Sequence, residues 1–525
     1  MPNRTSMSLG FFGLLLILIF AVSPACESAQ LPPATPAPLS KQVPQGEGSC
    51  SVGKSCAELA PVMEQKAMGA SPLEENLRYL SDSIGGRVTG TPAADRAAGW
   101  AVQAFRLSGV DEVHTEKYTI PVGWSEGNTR LEILAPESFP VRLVSIGWSP
   151  ATPEGGVTAN IVDVGFGDEA GFSKAGAGVN GAIVLVHSNF LVTWDQLTAE
   201  YDIAPAIIER AMKAGAKAVL WMSSRPNLLL YRHTVSVDGQ LEKMPQAVVA
   251  REDAERMARF LAAGQPVRVH FEMPNRVSGP VTAENVVAEI RGREKPDEFV
   301  VLGAHLDSWD LGTGALDNGC NSALVIDAAR TIHASGTIPR RSIRFILFTG
   351  EEEGLLGSAA YAHDHRAELD RMIAAVVFDS GMGKVTGYSV GGRKDTVAAV
   401  RDALEPVARL GVKDFTPDVS MDTDNFDFLI EGVPTLVANQ EPANYMLNYH
   451  AASDTFDKVD ITELKRHVAI AAITAFALAD NPGRIGARQS RAELEQMFHE
   501  TGLDQQMKDA GFWKYWQSSE RGRQP

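Results

Sequence analysis

The sequence predicts an α/β protein: a mainly parallel, mixed sheet flanked by helices, with a β-rich module inserted into it. Three observations predict this. From residue 283 onward, apolar runs of strand length alternate with longer segments of helical spacing, the order that builds a parallel sheet covered by helices. Between residues 121 and 280 the texture changes to short apolar runs broken by glycine-rich turns, as in a separate β-rich unit. The histidines and acids that carry chemistry fall at the ends of apolar runs in the second half of the chain, where an α/β sheet gathers a ligand site.

Size and charge bound the answer. The 525 residues suffice for a large core and more than one domain, and 44% hydrophobic with 22% charged residues is ordinary for a globular protein. A net charge of -17 without a basic stripe excludes a nucleic-acid partner, because nothing would neutralise the phosphates.

The elements follow in chain order. Residues 1–29 read as an export signal: Arg4, an apolar stretch over 9–20, then Ser23-Pro24-Ala25 ahead of Cys26. The stretch is short for a membrane span, so no transmembrane segment is expected in the mature chain. Cys26 is a candidate lipid anchor, although Ser23 stands where a lipoprotein signal has leucine. Residues 30–60 form a Pro-, Ser- and Gly-rich linker. In it Cys50 and Cys56 either close a small disulfide loop, as an oxidising compartment allows, or remain two unpaired thiols. A glycine turn over 84–92 leads to a helix over 93–107 and a strand over 113–120, so that residues 61–120 join 281–484 in one catalytic domain. Within 121–280, strands are expected at 141–146, 159–164, 182–186 and 218–221, and helices at 204–214 and 251–263. Strands at 285–290, 298–304, 342–349 and 372–379 then alternate with helices at 318–333 and 354–363. Segments 394–410, 424–430, 434–439 and 460–479 continue the pattern. The tail, 485–525, holds an amphipathic helix or two ending in Phe512, Trp513, Tyr515 and Trp516, expected to pack on the body.

The chemistry concentrates in five places. His305 follows the apolar run 300–304, and Asp307 stands ready to accept its second imidazole N–H. Asp317 lies in a turn bracketed by Gly312, Gly314 and Gly319, where its carboxylate serves either as a helix cap or as a bridge between metals. Glu351, Glu352 and Glu353 end a strand; Glu351 is read as the general base, Glu352 as a ligand and Glu353 as part of a solvated charge run. Asp379 closes the run 374–378, and His450 follows Tyr449. Cys320, in the first turn of a helix, is read as packing. Two histidines and four carboxylates meeting at one sheet edge are a ligand set for two divalent metals with one base to spare, which is the equipment of metal-assisted hydrolysis.

The motifs GAHLDSWDLGTGALDNG, TGEEEGLLGS, VVFDSG, TDNFDFLIEGVP and YHAASDTFDKVD stand in that order. Together they resemble the di-zinc exopeptidase family that includes bacterial leucyl aminopeptidases, glutamate carboxypeptidases and transferrin-receptor-like proteins. The resemblance spans residues 73–479 or so. It implies the phosphorylase/hydrolase-like fold of zinc exopeptidases and two Zn2+ ions. One ion would be held by His305, Asp379 and a bridging Asp317, the other by Glu352, His450 and the same Asp317, with Glu351 as base. Tyr449 matches a tyrosine that donates to the tetrahedral oxyanion. Asp424 matches a position near the substrate pocket, or else caps the helix it begins. The module at 121–280 resembles a protease-associated domain. The implied substrate is a short peptide or dipeptide, cut from the amino or the carboxyl end by an exported enzyme, and some relatives form homodimers. Two other readings compete. Glutaminyl cyclases share the scaffold with one zinc but lack the inserted module. Receptor-like relatives lose ligands, whereas this chain keeps all five and the base.

Overall fold

The computed structural model describes residues 55–234 and 236–525. The expected export signal, the linker up to residue 54, Cys26 and Cys50 lie outside the described residues.

The larger sheet has eight strands. Their spatial order is Glu112–Ile120, Val281–Ile290, Arg341–Phe348, Lys295–His305, Met372–Val377, Thr435–Gln440, Val385–Ser389 and Asp414–Thr416. The four central strands, from Arg341–Phe348 to Thr435–Gln440, are mutually parallel. Antiparallel pairs appear toward both edges. The expected α/β class with a mainly parallel, mixed sheet therefore holds, with its parallel part at the centre. The central strands carry long buried apolar runs, such as 299–302, 345–348 and 372–377, because both faces are covered. Val300, Leu302 and Ala304 face a core shared with the helices Cys56–Met68, Pro92–Ser108, Cys320–Ala334 and Ile461–Asp480. Phe299 and Val301 point the other way, to Tyr361 and Phe428 on the helices Leu356–Asp364 and Asn425–Ile430.

Local chemistry sets the helix ends. Thr91 caps Pro92–Ser108, with proline in its first turn and Gly109 in the left-handed region at φ 88° as the stop. The Asp460 carboxylate accepts from the backbone N–H of Thr462 at 2.8 Å and Glu463 at 3.1 Å, which starts Ile461–Asp480. The linker ends earlier than the sequence suggested: Ser55 makes a capping box with Glu58 and opens a helix at Cys56.

A second sheet of seven strands lies between Arg130 and Glu272. Its order is Arg130–Ala135, Arg268–Glu272, Val157–Asp163, Ile183–Val186, Ala218–Met222, Gln246–Val249 and Leu143–Ser145. Helix Trp194–Lys213 covers one face through Ile207, Ile208 and Ala211, and Arg251–Ala262 covers the other through Ala254 and Met257. This unit is a layered α/β structure, and both helices expected within it are present. Trp194–Lys213 begins well before the expected start at 204 because Pro205 lies inside it, and a proline reads as a boundary in sequence.

The tail forms three helices, Arg491–Thr501, Leu503–Asp509 and Trp513–Ser518, where one or two were expected. Its aromatic end does pack on the body. Trp516 is 1% exposed, 4.9 Å from the Phe498 ring and under the Arg491 guanidinium at 3.9 Å. Arg521 pairs with Asp427 at 2.8 Å and donates to the carbonyls of Gly354 and Leu355, so the tail grips the turn that carries Glu351 and Glu352. Trp516→Ala should therefore lower the unfolding free energy by ~3–5 kcal/mol in a urea titration; a loss below ~1 kcal/mol would show the tail to be dispensable to the core. Among the described residues, no helix is long and apolar enough to cross a membrane.

Candidate metal centre

Parallel strands deliver their C-terminal ends to one edge. His305 ends Lys295–His305 opposite Phe348 of its neighbour, and the chain turns just past Phe348 to present Glu351 and Glu352. On the other side Gly303 pairs with Val377, and Asp379 follows. His450 comes from the turn after the helix Tyr445–Asn448, at a φ of 56°.

Asp317 needs a loop held in place. The buried Arg87 guanidinium donates to the carbonyls of Leu306, Thr313 and Gly314. The Asp454 carboxylate accepts from the backbone N–H of Leu316 at 2.7 Å and of Asp317 at 3.1 Å. Gly312 lets the loop press on the His450 turn: a Cβ there would meet the carbonyl oxygens of Asp454 and Ala451 at 2.6 and 2.7 Å. The Asp317–Asn318 peptide is cis. Neither the Asp317 turn nor the helix after it has a side-chain cap, so the alternative use of this carboxylate as a cap is absent.

The side chains then converge. His305 Nε2 lies 3.0 Å from Asp379 Oδ1 and 3.3 Å from Asp317 Oδ1. His450 Nε2 lies 2.9 Å from Glu352 Oε2 and 3.3 Å from Asp317 Oδ2. The result is two groups of three candidate ligands, His305–Asp317–Asp379 and Asp317–Glu352–His450, each with its donor atoms within 4.8 Å of one another. One carboxylate serves both groups, an oxygen to each. Glu351 belongs to neither, with Oε2 3.9 Å from His305 Nε2.

The electrostatics call for positive charge. Burial holds Glu351 and Glu352 well above the usual carboxylate range, with neighbouring carboxylates adding to the effect. Burial also lifts Asp379 to about 6, against the pull of His305. Burial alone would lower His305, but Asp379 and Glu351 outweigh it and raise the imidazole well above its ordinary value. Burial depresses His450 to about 3, which keeps it neutral, the form that ligates. Asp317 Oδ2 and Glu352 Oε1 are buried without a hydrogen-bond partner. Such orphaned oxygens are costly unless a cation meets them, and imidazole with carboxylate suits zinc among divalent metals.

Not every expectation fits as drawn. The nearer acceptor for His305 Nδ1 is the backbone carbonyl of Asp307 at 3.1 Å, while its carboxylate lies at 3.6 Å and accepts instead from the Glu352 N–H at 3.3 Å. Glu353, expected in solvent, is buried and accepts from the Thr89 N–H at 3.4 Å, because the chain turns its side chain into the fold toward the glycine turn that precedes Pro92–Ser108. Asp424 caps nothing. It is fully buried with neither oxygen hydrogen-bonded. Tyr449 stacks on His450 with centroids 3.6 Å apart. Two tyrosines not expected from the sequence also reach the site: Tyr445, whose hydroxyl donates to the Asp379 carbonyl at 3.3 Å, and Tyr201, whose Oη lies 3.4 Å from His450 Nδ1. Tyrosines on helices give no signal of their own in sequence.

Comparison with known proteins places the chain in a family. Residues 285–475 match the profile of peptidase family M28. Mouse (Mus musculus) carboxypeptidase Q is 30% identical over 409 residues, covering 77% of this chain and 85% of that protein. The chain belongs to peptidase family M28. By that membership it is a metallopeptidase. Aminopeptidase YwaD of Bacillus subtilis (strain 168) is 27% identical over 309 residues, 58% of this chain and 60% of the relative. Among solved structures, a peptidase M28 precursor from Shewanella amazonensis SB2B superposes with a TM-score of 0.75 at 28% identity, covering 83% of this chain and 99% of that one. A zinc aminopeptidase from Bacillus subtilis shares the fold, at a TM-score of 0.60 and 22% identity over 79% of this chain and 97% of its own.

Proposed function

We propose that this chain is an exported two-zinc exopeptidase that hydrolyses short peptides or dipeptides. The observation that carries the reading is the shared Asp317, with one oxygen 3.3 Å from His305 and the other 3.3 Å from His450. His305, Asp379 and Asp317 would hold one ion, and Glu352, His450 and Asp317 the other. Bound there, zinc would polarise the scissile carbonyl and bring the pKa of water down towards ~7.

The chain's own groups do the rest. Glu351 stays outside both ligand groups, and burial holds its carboxyl well above the usual carboxylate range. It takes the proton of the attacking water and passes it to the leaving amine. Tyr449 is assigned as hydroxyl donor to the developing oxyanion. Asp307 anchors the His305 ring and the Glu352 backbone together. Residues 61–120 and 281–484 are assigned to the catalytic domain and 485–525 to the tail. Residues 121–280 are assigned to an inserted protease-associated domain, in keeping with a second sheet built wholly from that stretch. Export rests on the signal pattern ahead of Cys26.

The test is metal analysis joined to a panel of free dipeptides and of peptides blocked at either end. About two zinc ions per chain are expected, with hydrolysis that a chelator abolishes and zinc restores. Chelator-insensitive hydrolysis, or a metal-loaded chain that cuts nothing on the panel, would overturn the reading.

A further inference from the structure

The two histidines of the centre are oriented by different parts of the molecule. His305 Nδ1 faces a carbonyl on its own strand end, that of Asp307 at 3.1 Å. The hydrogen-bond partner of His450 Nδ1 is the hydroxyl oxygen of Tyr201 at 3.4 Å. Tyr201 lies on Trp194–Lys213, the helix that covers the smaller sheet, whereas all five ligand residues come from the larger sheet and its loops. A metal-bound imidazole donates its second N–H to an acceptor, which fixes the tautomer and the ring plane.

We propose that Tyr201 is a positioning residue for His450, so that the smaller α/β unit completes one of the two metal sites. The inference rests on the two-metal reading above. Independent contacts from the same unit fix His450 at the backbone. Its φ of 56° is a left-handed conformation that a side-chain-bearing residue keeps only where its surroundings impose it. Here Arg232 N–H donates to the His450 carbonyl at 3.0 Å, and Arg225 Nη2 donates to the Tyr449 carbonyl at 3.0 Å. Both arginines belong to the loop after the strand Ala218–Met222. Tyr201 is itself held, with its ring 5.0 Å from that of His233, which stacks on Tyr231. Two turns earlier on the same helix, Trp194 packs against the rings of Tyr445 and Tyr449 at 5.6 and 6.2 Å. The smaller unit thus sets the His450 ring through Tyr201, its main chain through two arginines and its neighbours through Trp194.

Tyr201→Phe removes the acceptor and keeps the ring. Zinc binding by the full chain is titrated against a competing chromophoric chelator, and thermal unfolding is followed on the metal-free protein. The wild type should bind two equivalents. In Tyr201→Phe one equivalent should bind unchanged and the other ~10–100-fold more weakly, with the same melting temperature. Tyr231→Phe, which deletes a neighbouring hydroxyl bonded to Glu200, should leave both equivalents as they are. Wild-type-like binding of both ions by Tyr201→Phe overturns the inference. So does joint weakening of both with a lower melting temperature, which is the mark of packing alone, or an equal split in Tyr231→Phe. A wild-type chain that binds fewer than two zinc ions overturns the two-metal reading, and this inference with it.

Discussion

Glu351→Gln should reduce kcat by ~10²–10⁴-fold, the usual contribution of a general base, while both zinc equivalents stay bound. The separation of the two effects follows from position. Glu351 is the one acid of its turn that lies beside the ligand cluster without joining it, 3.9 Å from His305 Nε2. Its neighbour Glu352 sits 2.9 Å from His450 and joins a ligand group. Glutamine keeps the shape and the hydrogen-bonding oxygen but cannot accept a proton. A base acts only in the transition state, so kcat and kcat/KM should fall together and KM should hardly move. Removing one of several crowded carboxylates also relieves repulsion, so the variant should fold at least as well as the wild type. Turnover within ten-fold of wild type on a dipeptide substrate would take the base assignment away from Glu351. Loss of a zinc equivalent would make it a ligand instead.

The convergence of the candidate ligands was legible because their positions obey a geometric rule that sequence records directly. His305, Glu352 and Asp379 each follow an apolar run, and parallel neighbours must bring such positions to one edge. Asp317 was legible as a residue but ambiguous in its role. Only the Asp454 carboxylate and Arg87, distant in sequence, turn it away from capping. Glu353 misled because a charge run looks the same whether it faces water or a fold closing over it. The strand Val385–Ser389 went unrecognised because Gly387 interrupts its pattern. The glycine is there because a Cβ would fall 1.5 Å from the Asp414 carbonyl of the next strand, which no local window reveals. Tyr201, Arg225 and Arg232 were invisible for the same reason. Their chemistry lies in which sheet they lean across, and a tyrosine or arginine on an amphipathic element carries no mark of that.

Stripping the metals should reverse the sign of the pH dependence of stability. In the metal-free protein the native state keeps protons that the unfolded chain releases. Burial lifts Asp454 from its ordinary 3.8 to about 7 and holds Glu351, Glu352, Glu353 and Asp424 well above the carboxylate range. The surrounding carboxylates hold His305 above its ordinary value against burial. A raised pKa in the folded state gives stability that is present at low pH and lost as pH rises through it. The opposing groups are the buried histidines His233, His450 and His467, which burial depresses to about 4, 3 and 4. They cost stability only below their unfolded value of ~6.5. Above pH 6.5 they are neutral in both states, and the raised groups act alone. Between pH 6.5 and 8.5 the stripped chain should lose ~1.4 kcal/mol per pH unit for each proton it retains, read as a falling melting temperature. The zinc-loaded chain should move the other way, because the ions bind only deprotonated carboxylates and neutral imidazoles and so tighten as pH rises. Parallel pH profiles with and without zinc would mean that the buried acids are balanced by something other than metal, and the ligand assignment would fail with them.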